Sequence, residues 1–237
     1  MKHAKAAWRL PPLLFAAERT CELPERCSGL LKDWERRVLK SADDVCGQIA
    51  SAYAYRAPWH APGTGHVHAM SWGNSHPLRR AQYLVAAHGI TGDAKYLAAA
   101  SLANDFHNGC NPQGTTLTSG LGKVYPVTFL DLPSYVDGIA EYVPGITPYR
   151  WTYGLPWRMT DAVFGGDKAR ASKWPIWRRW GNMESLTVAA SEYTVWETIA
   201  PAASVTGYLA KPSESRPQPR PAPADDLREL PGYWVLP

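Results

Sequence analysis

The sequence predicts an all-α fold assembled from helical hairpins, and two observations lead to that prediction. Apolar residues recur at three- and four-residue spacing over long stretches, which is typical of helices that bury one face. The longest such stretch spans residues 31–52, and two shorter ones, 76–88 and 93–107, are separated by a short connection that contains two glycines. Helices joined so closely lie antiparallel, so we expect an αα-hairpin of the kind repeated in α/α barrels.

The first helix is predicted from its apolar face. Seven residues share that face: Leu31, Trp34, Val38, Ala42, Val45, Ile49 and Ala52. Because they recur every three or four positions, they form one stripe that has to be buried against other helices. Residues 53–68, which follow, are rich in Pro, Gly and aromatic residues and are predicted to form a loop.

The second helix is predicted from its start and stop signals. Ser75 supplies a hydroxyl cap and Pro77 suits the first turn, so we expect a helix that runs through His88 and is closed by Gly89. The third helix is expected to be capped by Asp93 and to run to about residue 107.

The C-terminal half has less regular periodicity. Residues 108–156 carry many Gly, Pro and aromatic residues, and loops this long inside a compact domain are usually functional. Residues 185–190 are expected to start another helix, and residues 199–210 form the last one, with Pro201 tolerated in its first turn. We therefore expect one folded region, residues 1–210, and a Pro-rich tail, residues 211–237. The apolar end of the tail is expected to pack back onto the folded region, and the alternative is a docking peptide.

Composition limits the classes of function. The chain has 237 residues, of which 45% are hydrophobic, and its net charge of +4 is too small to indicate nucleic acid or an anionic membrane as a partner. No apolar stretch reaches the length of a membrane span. No metal or other cofactor is expected, because the His66-Val67-His68 pair is followed by no further ligand at metal-binding spacing. The compartment is not indicated, since residues 1–17 only faintly imitate a signal peptide.

Glu197 is the candidate catalytic residue. It lies among apolar and aromatic neighbours just before the Ala-rich last helix. Removing a carboxylate from water raises its pKa and can leave it protonated near neutral pH, as general-acid chemistry such as glycoside cleavage requires. A glutamate in the first turn of a helix is also favoured by the helix dipole, so a purely structural role is the alternative for this residue.

Four segments, in order along the chain, resemble motifs of glycoside hydrolase family 9. Residues 72–75 (Trp-Gly-Asn-Ser) resemble its Trp-Gly-Ser-Asn segment, and residues 90–97 resemble its helix-turn-helix connection. Residues 108–122 are similar to its Asn-Pro-x-Gly and Thr-Gly-x-Gly loops, and residues 192–197 to its last motif. The resemblance covers roughly residues 72–209 and implies a partial (α/α)6 barrel.

The resemblance also implies roles for individual residues. Glu197 would be the proton donor of an inverting glycosidase, and Glu192 would contact sugar hydroxyls or tune the acid. Trp72 and Asn74, which belong to a matched segment, would bind substrate; taken on their own, they could equally be a core residue and a capping residue. Tyr125 lies where the family's His-His-Arg is replaced, together with Asp131, Asp137 and Glu141. These replacements indicate a specificity that differs from that of ordinary cellulases, or simply a solvated loop.

The Asp-x-Gly-Asp motif that carries the family's base does not occur in the sequence. The family's barrel usually needs nearly twice this length, so residues 1–210 are predicted to be the C-terminal part of a catalytic domain. Its partners would be a carbohydrate substrate and the N-terminal remainder of that domain, without which we expect no turnover. The alternatives are a non-catalytic helical carbohydrate-binding or scaffold module, and an unrelated α/α-barrel lyase or hydrolase with a Tyr or His base.

Overall fold

The computed structural model contains four α-helices and one π-helical turn among the residues that it describes, and no strand among those residues. The helices are α1 (Glu25–Ser51), α2 (Pro77–Thr91), α3 (Ala94–His107) and α4 (Ala200–Leu209), and the π-turn (Val195–Ile199) leads directly into α4. The described residues are 24–52, 57–58, 76–126, 129, 143–149, 165–167, 169, 173 and 192–210. The predicted all-α class is confirmed.

Helix α1 buries the stripe that its periodicity predicts. All seven predicted positions are buried, from Ala42 with no exposed surface to Trp34 at 9%. Leu30, which lies outside the stripe, is half exposed. A long amphipathic helix of this kind is stabilised chiefly by packing its apolar face, and here that face packs against α2.

The predicted αα-hairpin is formed by α2 and α3, but its boundaries differ from the prediction. The side chain of His76 caps α2: the Nδ1 atom of His76 accepts a hydrogen bond from the backbone N–H of Leu78 at 3.3 Å. Ser75, the predicted cap, lies outside the described residues. Pro77 lies in the first turn, as expected. An imidazole can accept this bond because its unprotonated ring nitrogen carries a lone pair.

The predicted end of α2 is also wrong. Gly89 is helical, and the helix continues to Thr91 before Gly92 adopts φ +71° and its N–H bonds the carbonyl of His88. Of Gly89 and Gly92, only Gly92 is in the left-handed conformation that suits a glycine at the end of a helix. Asp93 then caps α3 as predicted, because its Oδ1 atom accepts a hydrogen bond from the N–H of Lys95 at 2.9 Å.

Helix α2 is the central element, since it packs against α1, α3, α4 and the π-turn. Ala-rich faces allow this close approach: Ala81, Ala87, Ala100 and Ala103 have no exposed surface. Polar side chains also join the helices. Gln82 of α2 bonds Ser204 of α4, and Asn104 of α3 bonds Thr206 of α4.

The predicted last helix is confirmed with one change. It is entered through the π-turn, so helical backbone begins at Val195, four residues earlier than predicted, and Pro201 lies in the first turn of α4. The predicted helix at 185–190, most of the predicted loop 53–68 and the tail 211–237 lie outside the described residues.

Candidate active site

The candidate site is built around the π-turn that opens α4. Thr194 adopts an extended conformation, and its Oγ1 atom accepts a hydrogen bond from the N–H of Glu197 at 3.1 Å. The hydroxyl of Thr198 donates to the carbonyl of Thr194 at 2.8 Å, and Thr198 is fully buried. π-helical turns of this kind occur frequently at functional sites. The turn therefore fixes the backbone of Glu197 from both sides.

The two carboxylate oxygens of Glu197 contact different partners. The Oε1 atom lies 2.9 Å from the Nη1 atom of Arg79, in the first turn of α2. The Oε2 atom accepts a hydrogen bond from the hydroxyl of Tyr149. The exposed fraction of the side chain is 21% for Glu197 and 27% for Arg79, so the ion pair is accessible from one side.

This environment differs from the apolar one expected for Glu197. Its two neighbours toward the N-terminus, Val195 and Trp196, are 68% and 75% exposed and leave the carboxylate among polar groups. A guanidinium and a phenolic O–H both stabilise the ionised carboxylate relative to the protonated acid. The described contacts thus favour a charged Glu197 in the unliganded chain.

Tyr149 is almost completely enclosed. Its side chain is 1% exposed, and its hydroxyl also lies 3.3 Å from the Oγ1 atom of Thr194. Burial, together with the hydrogen bond to Glu197 and the negative charges of Glu197 and Glu192, raises the pKa of Tyr149 to about 12, although Thr194 opposes the shift. Tyr149 therefore stays protonated throughout the neutral pH range, and its hydroxyl donates a hydrogen bond to the carboxylate of Glu197.

The segment that carries Tyr149 is anchored to the loop after α3. Ser119 is the centre of this anchor: its N–H and its carbonyl pair with Ile146 and Gly145, and its hydroxyl bonds the carbonyl of Val143 at 2.6 Å. One step further, the hydroxyls of Thr118 and Thr147 lie 2.6 Å apart. Residues 143–149 are thus held in place before the chain reaches the π-turn.

The same anchor reaches helix α3. The hydroxyl of Thr118 also shares a hydrogen bond of 2.7 Å with the Nε2 atom of His107, which is 1% exposed. The imidazole of His107 lies edge-on to that of His76, with ring centroids 5.4 Å apart. The buried ends of α2 and α3 are therefore linked to the segment that positions Tyr149.

The loop similar to Asn-Pro-x-Gly is closed by Asn111. The Nδ2 atom of Asn111 donates to the carbonyls of Phe106 at 2.8 Å and Thr115 at 2.6 Å, while its Oδ1 atom accepts from the N–H of Gln113. Gly114 follows at φ +63°, where a side chain would be strained. The loop folds back on the end of α3, so its role among the described residues is to support the site.

The structure places three of the five predicted site residues. The backbone carbonyl of Glu192 accepts from the N–H of Tyr149 at 2.8 Å, which brings Glu192 beside the residue that contacts Glu197. Tyr125 is 5% exposed. Trp72 and Asn74 lie outside the described residues, and so do Asp131, Asp137 and Glu141.

Sequence reasoning missed Arg79 and Tyr149. They are separated from Glu197 by 118 and 48 positions along the chain, so no local motif connects them to it. A charged residue at the start of α2 next to a matched motif is the only sequence signal that could have suggested Arg79.

The described residues bring together no group of three or more His, Cys, Asp or Glu side chains suited to a metal ion. The His66-Val67-His68 pair lies outside them. Of the helices in the described part of the chain, none is both long and apolar enough to cross a bilayer.

Several solved structures share this fold. They include the Zn-binding triple mutant of GH family 9 endoglucanase J30, with a TM-score of 0.57 at 20% identity over 77% of this chain and 31% of that one. AaCel9A in complex with cellobiose-like isofagomine matches with a TM-score of 0.54 at 18% identity, over 76% of this chain and 31% of that chain. The D468A endoglucanase from Alicyclobacillus acidocaldarius matches with a TM-score of 0.53 at 18% identity, over 78% and 32% of the two chains.

No protein-family model and no curated protein sequence matches the chain. The chain spans about a third of the length of the structures that it resembles. At this level of identity the likeness shows the fold alone. The described helices therefore form part of an (α/α)6 barrel of the type found in family 9 endoglucanases.

Proposed function

We propose that the chain is the C-terminal part of an inverting, family 9-like glycoside hydrolase domain that acts on β-linked glycans. The observation that supports this most directly is the position of Glu197. Its carboxylate lies at the entry to the last described helix, is held by side chains from two other segments, and remains partly accessible. The fold that carries this carboxylate is the one found in family 9 endoglucanases.

In this proposal Glu197 transfers a proton to the glycosidic oxygen as the bond between that oxygen and the anomeric carbon breaks. A carboxylate base from the N-terminal remainder of the domain takes a proton from the water that attacks the anomeric carbon from the opposite face. The two carboxyl groups of an inverting enzyme stand roughly 6.5–9.5 Å apart, which leaves room for the water. The chain alone would bind glycan without turning it over.

The substrate-binding residues of the proposal are Glu192, Trp72, Asn74 and Tyr125. Glu192 has the best structural support, because its segment is paired with that of Tyr149 next to Glu197. The indole of Trp196, 75% exposed and directly before Glu197 in the chain, adds an aromatic surface on which a sugar ring can stack its C–H face.

A second function is favoured by one observation, the ion pair between Arg79 and Glu197. An ionised carboxylate accepts hydrogen bonds from sugar hydroxyls but has no proton to give. A non-catalytic glycan-binding module would therefore use the same groups as they stand in the unliganded chain.

Hydrolysis by the chain supplied with the remainder of its domain separates the two functions. The substrates are β-glucosides with good and poor leaving groups, and the variants are Glu197→Gln and, as a matched control, Glu25→Gln at an exposed glutamate of α1. If Glu197 is the acid, its replacement should reduce the rate on the poor leaving group by about 100-fold or more, and much less on the good one. If Glu197→Gln loses the same fraction of the wild-type rate on both substrates, Glu197 is not the acid. Glycan binding by the wild type without hydrolysis would favour the binding module.

A further inference from the structure

Two described side chains that contact Glu197 differ in how far they are enclosed. Tyr149 is 1% exposed, and its segment is anchored through Ser119 and Thr147. Arg79 has a long, flexible side chain that is 27% exposed, and it lies at the start of α2 beside the surface. The guanidinium of Arg79 is therefore more accessible to an entering ligand than the phenol of Tyr149.

We propose that Arg79 is a positioning residue that holds Glu197 ionised in the unliganded chain, so that Glu197 becomes a proton donor only after the Arg79 contact is released. The proposal rests on the proposed function in taking the ligand to be a glycan. The ionised Glu197 then accepts hydrogen bonds from sugar hydroxyls. Release of Arg79 raises the proton affinity of Glu197, which takes up a proton from water and then transfers it to the glycosidic oxygen.

The charges around Glu197 support this assignment. The charged or titratable groups that the structure places at the site are Arg79 from α2, Tyr149 from residues 143–149 and Glu192 from the segment before the π-turn. Among these described groups, only Arg79 is cationic. An opposite charge at hydrogen-bond distance stabilises the ionised form, whereas a nearby carboxylate such as Glu192 opposes it and neutral Tyr149 adds a single hydrogen bond. Of the groups that the structure describes at the site, Arg79 therefore stabilises the ionised form of Glu197 most strongly.

The next residue, Arg80, provides a matched control. It lies on the same turn of α2, but its Nη1 atom donates to the Oε1 atom of Gln48 in α1 at 2.7 Å, away from Glu197. Replacing Arg80 removes the same charge from the same helix while leaving the contacts of Glu197 in place.

The test is a pH titration of the Glu197 carboxyl carbon by ¹³C NMR in the full chain, with Glu197→Gln used to assign the signal. In Arg79→Gln, the pH at which Glu197 takes up its proton should rise by about one pH unit or more, since the opposite charge is lost. Arg79→Lys should restore most of the shift because it keeps the charge, and Arg80→Gln should leave the midpoint near that of the wild type.

Equal midpoints in the wild type and Arg79→Gln would overturn the proposal, and so would an equal rise in Arg80→Gln. Thermal unfolding of each variant shows whether it is folded, and Arg79→Lys keeps the test decisive if Arg79→Gln is not. The titration needs no glycan, so its failure differs from failure of the proposed function, which would appear as absence of cello-oligosaccharide binding by the wild type.

Discussion

Gly122 supports the loop that anchors Tyr149, and replacing it with Ala should destabilise the protein far more than an ordinary loop substitution. Its φ of +78° lies in the left-handed region, where an Ala residue is strained. An added Cβ would also lie 2.9 Å from the Cγ2 atom of Thr116. Thr116 cannot easily move away, because its hydroxyl lies 2.6 Å from the carbonyl oxygen of Leu121 and its N–H bonds the carbonyl of Val124.

The expected magnitude is the sum of two costs. The left-handed conformation costs an Ala roughly 1–2 kcal/mol, and forcing a methyl group into a packed site adds typically 1–3 kcal/mol. Together they give about 2–5 kcal/mol. Gly92→Ala is the matched control, because Gly92 has φ +71° but nothing within 4 Å of an added Cβ, so only the first cost applies.

Urea unfolding followed by circular dichroism measures both changes in the free energy of unfolding. We expect Gly122→Ala to lose at least about 1 kcal/mol more than Gly92→Ala, since only the former carries the steric cost. Equal losses would refute the inference that Thr116 holds its position against Gly122. A loss in Gly92→Ala alone would refute the loop geometry as a whole.

Three further predictions concern the core, a helix cap and the site. Leu84→Ala should cost about 2–5 kcal/mol in urea unfolding, because Leu84 has no exposed surface within the four-helix core, whereas Leu102→Ala, at a residue 41% exposed, should cost much less. Asp93→Ala should cost about 1 kcal/mol of unfolding free energy through loss of the α3 cap, whereas Asp93→Asn should keep most of that stability because Asn is also a good cap. Equal losses in the two variants would argue against the cap. The pKa of Tyr149 is raised from 10 to about 12 on folding, so the stabilisation is complete below pH 10 and is lost as the pH rises toward 12. Over that window the wild type should lose up to about 2 kcal/mol relative to Tyr149→Phe, and parallel stability curves would contradict the buried phenol.

The elements with strong local signals were predictable. The stripe of α1 follows from spacing alone, and Asp93 caps α3 because a short acceptor side chain there reaches the N–H of Lys95. The errors arose where two residues could serve the same purpose. Ser75 satisfies the usual rule for an N-cap, yet His76 performs the role. Gly89 and Gly92 could each end α2, and only the backbone conformation distinguishes them.

The assignment of Glu197 as the catalytic acid stays a prediction, and its electrostatic surroundings differ from those that the sequence suggested. Apolar neighbours in the sequence suggested an apolar environment for Glu197, but helical geometry turns adjacent residues in different directions, and Trp196 faces solvent. The groups that set the charge of Glu197 come from distant segments, Arg79 from α2 and Tyr149 from the anchored loop. Such long-range pairings follow from tertiary packing, which the sequence of the last motif alone does not reveal.

Calorimetric titration of cello-oligosaccharide into the chain tests the central claim most directly, that Glu197 lies in a glycan site. The wild type should bind, and Glu197→Gln should bind about tenfold more weakly, as loss of a hydrogen bond to a charged group predicts. Glu25→Gln, at an exposed residue that begins α1, should bind like the wild type. No binding by the wild type, or equal affinity in Glu197→Gln, would contradict the account.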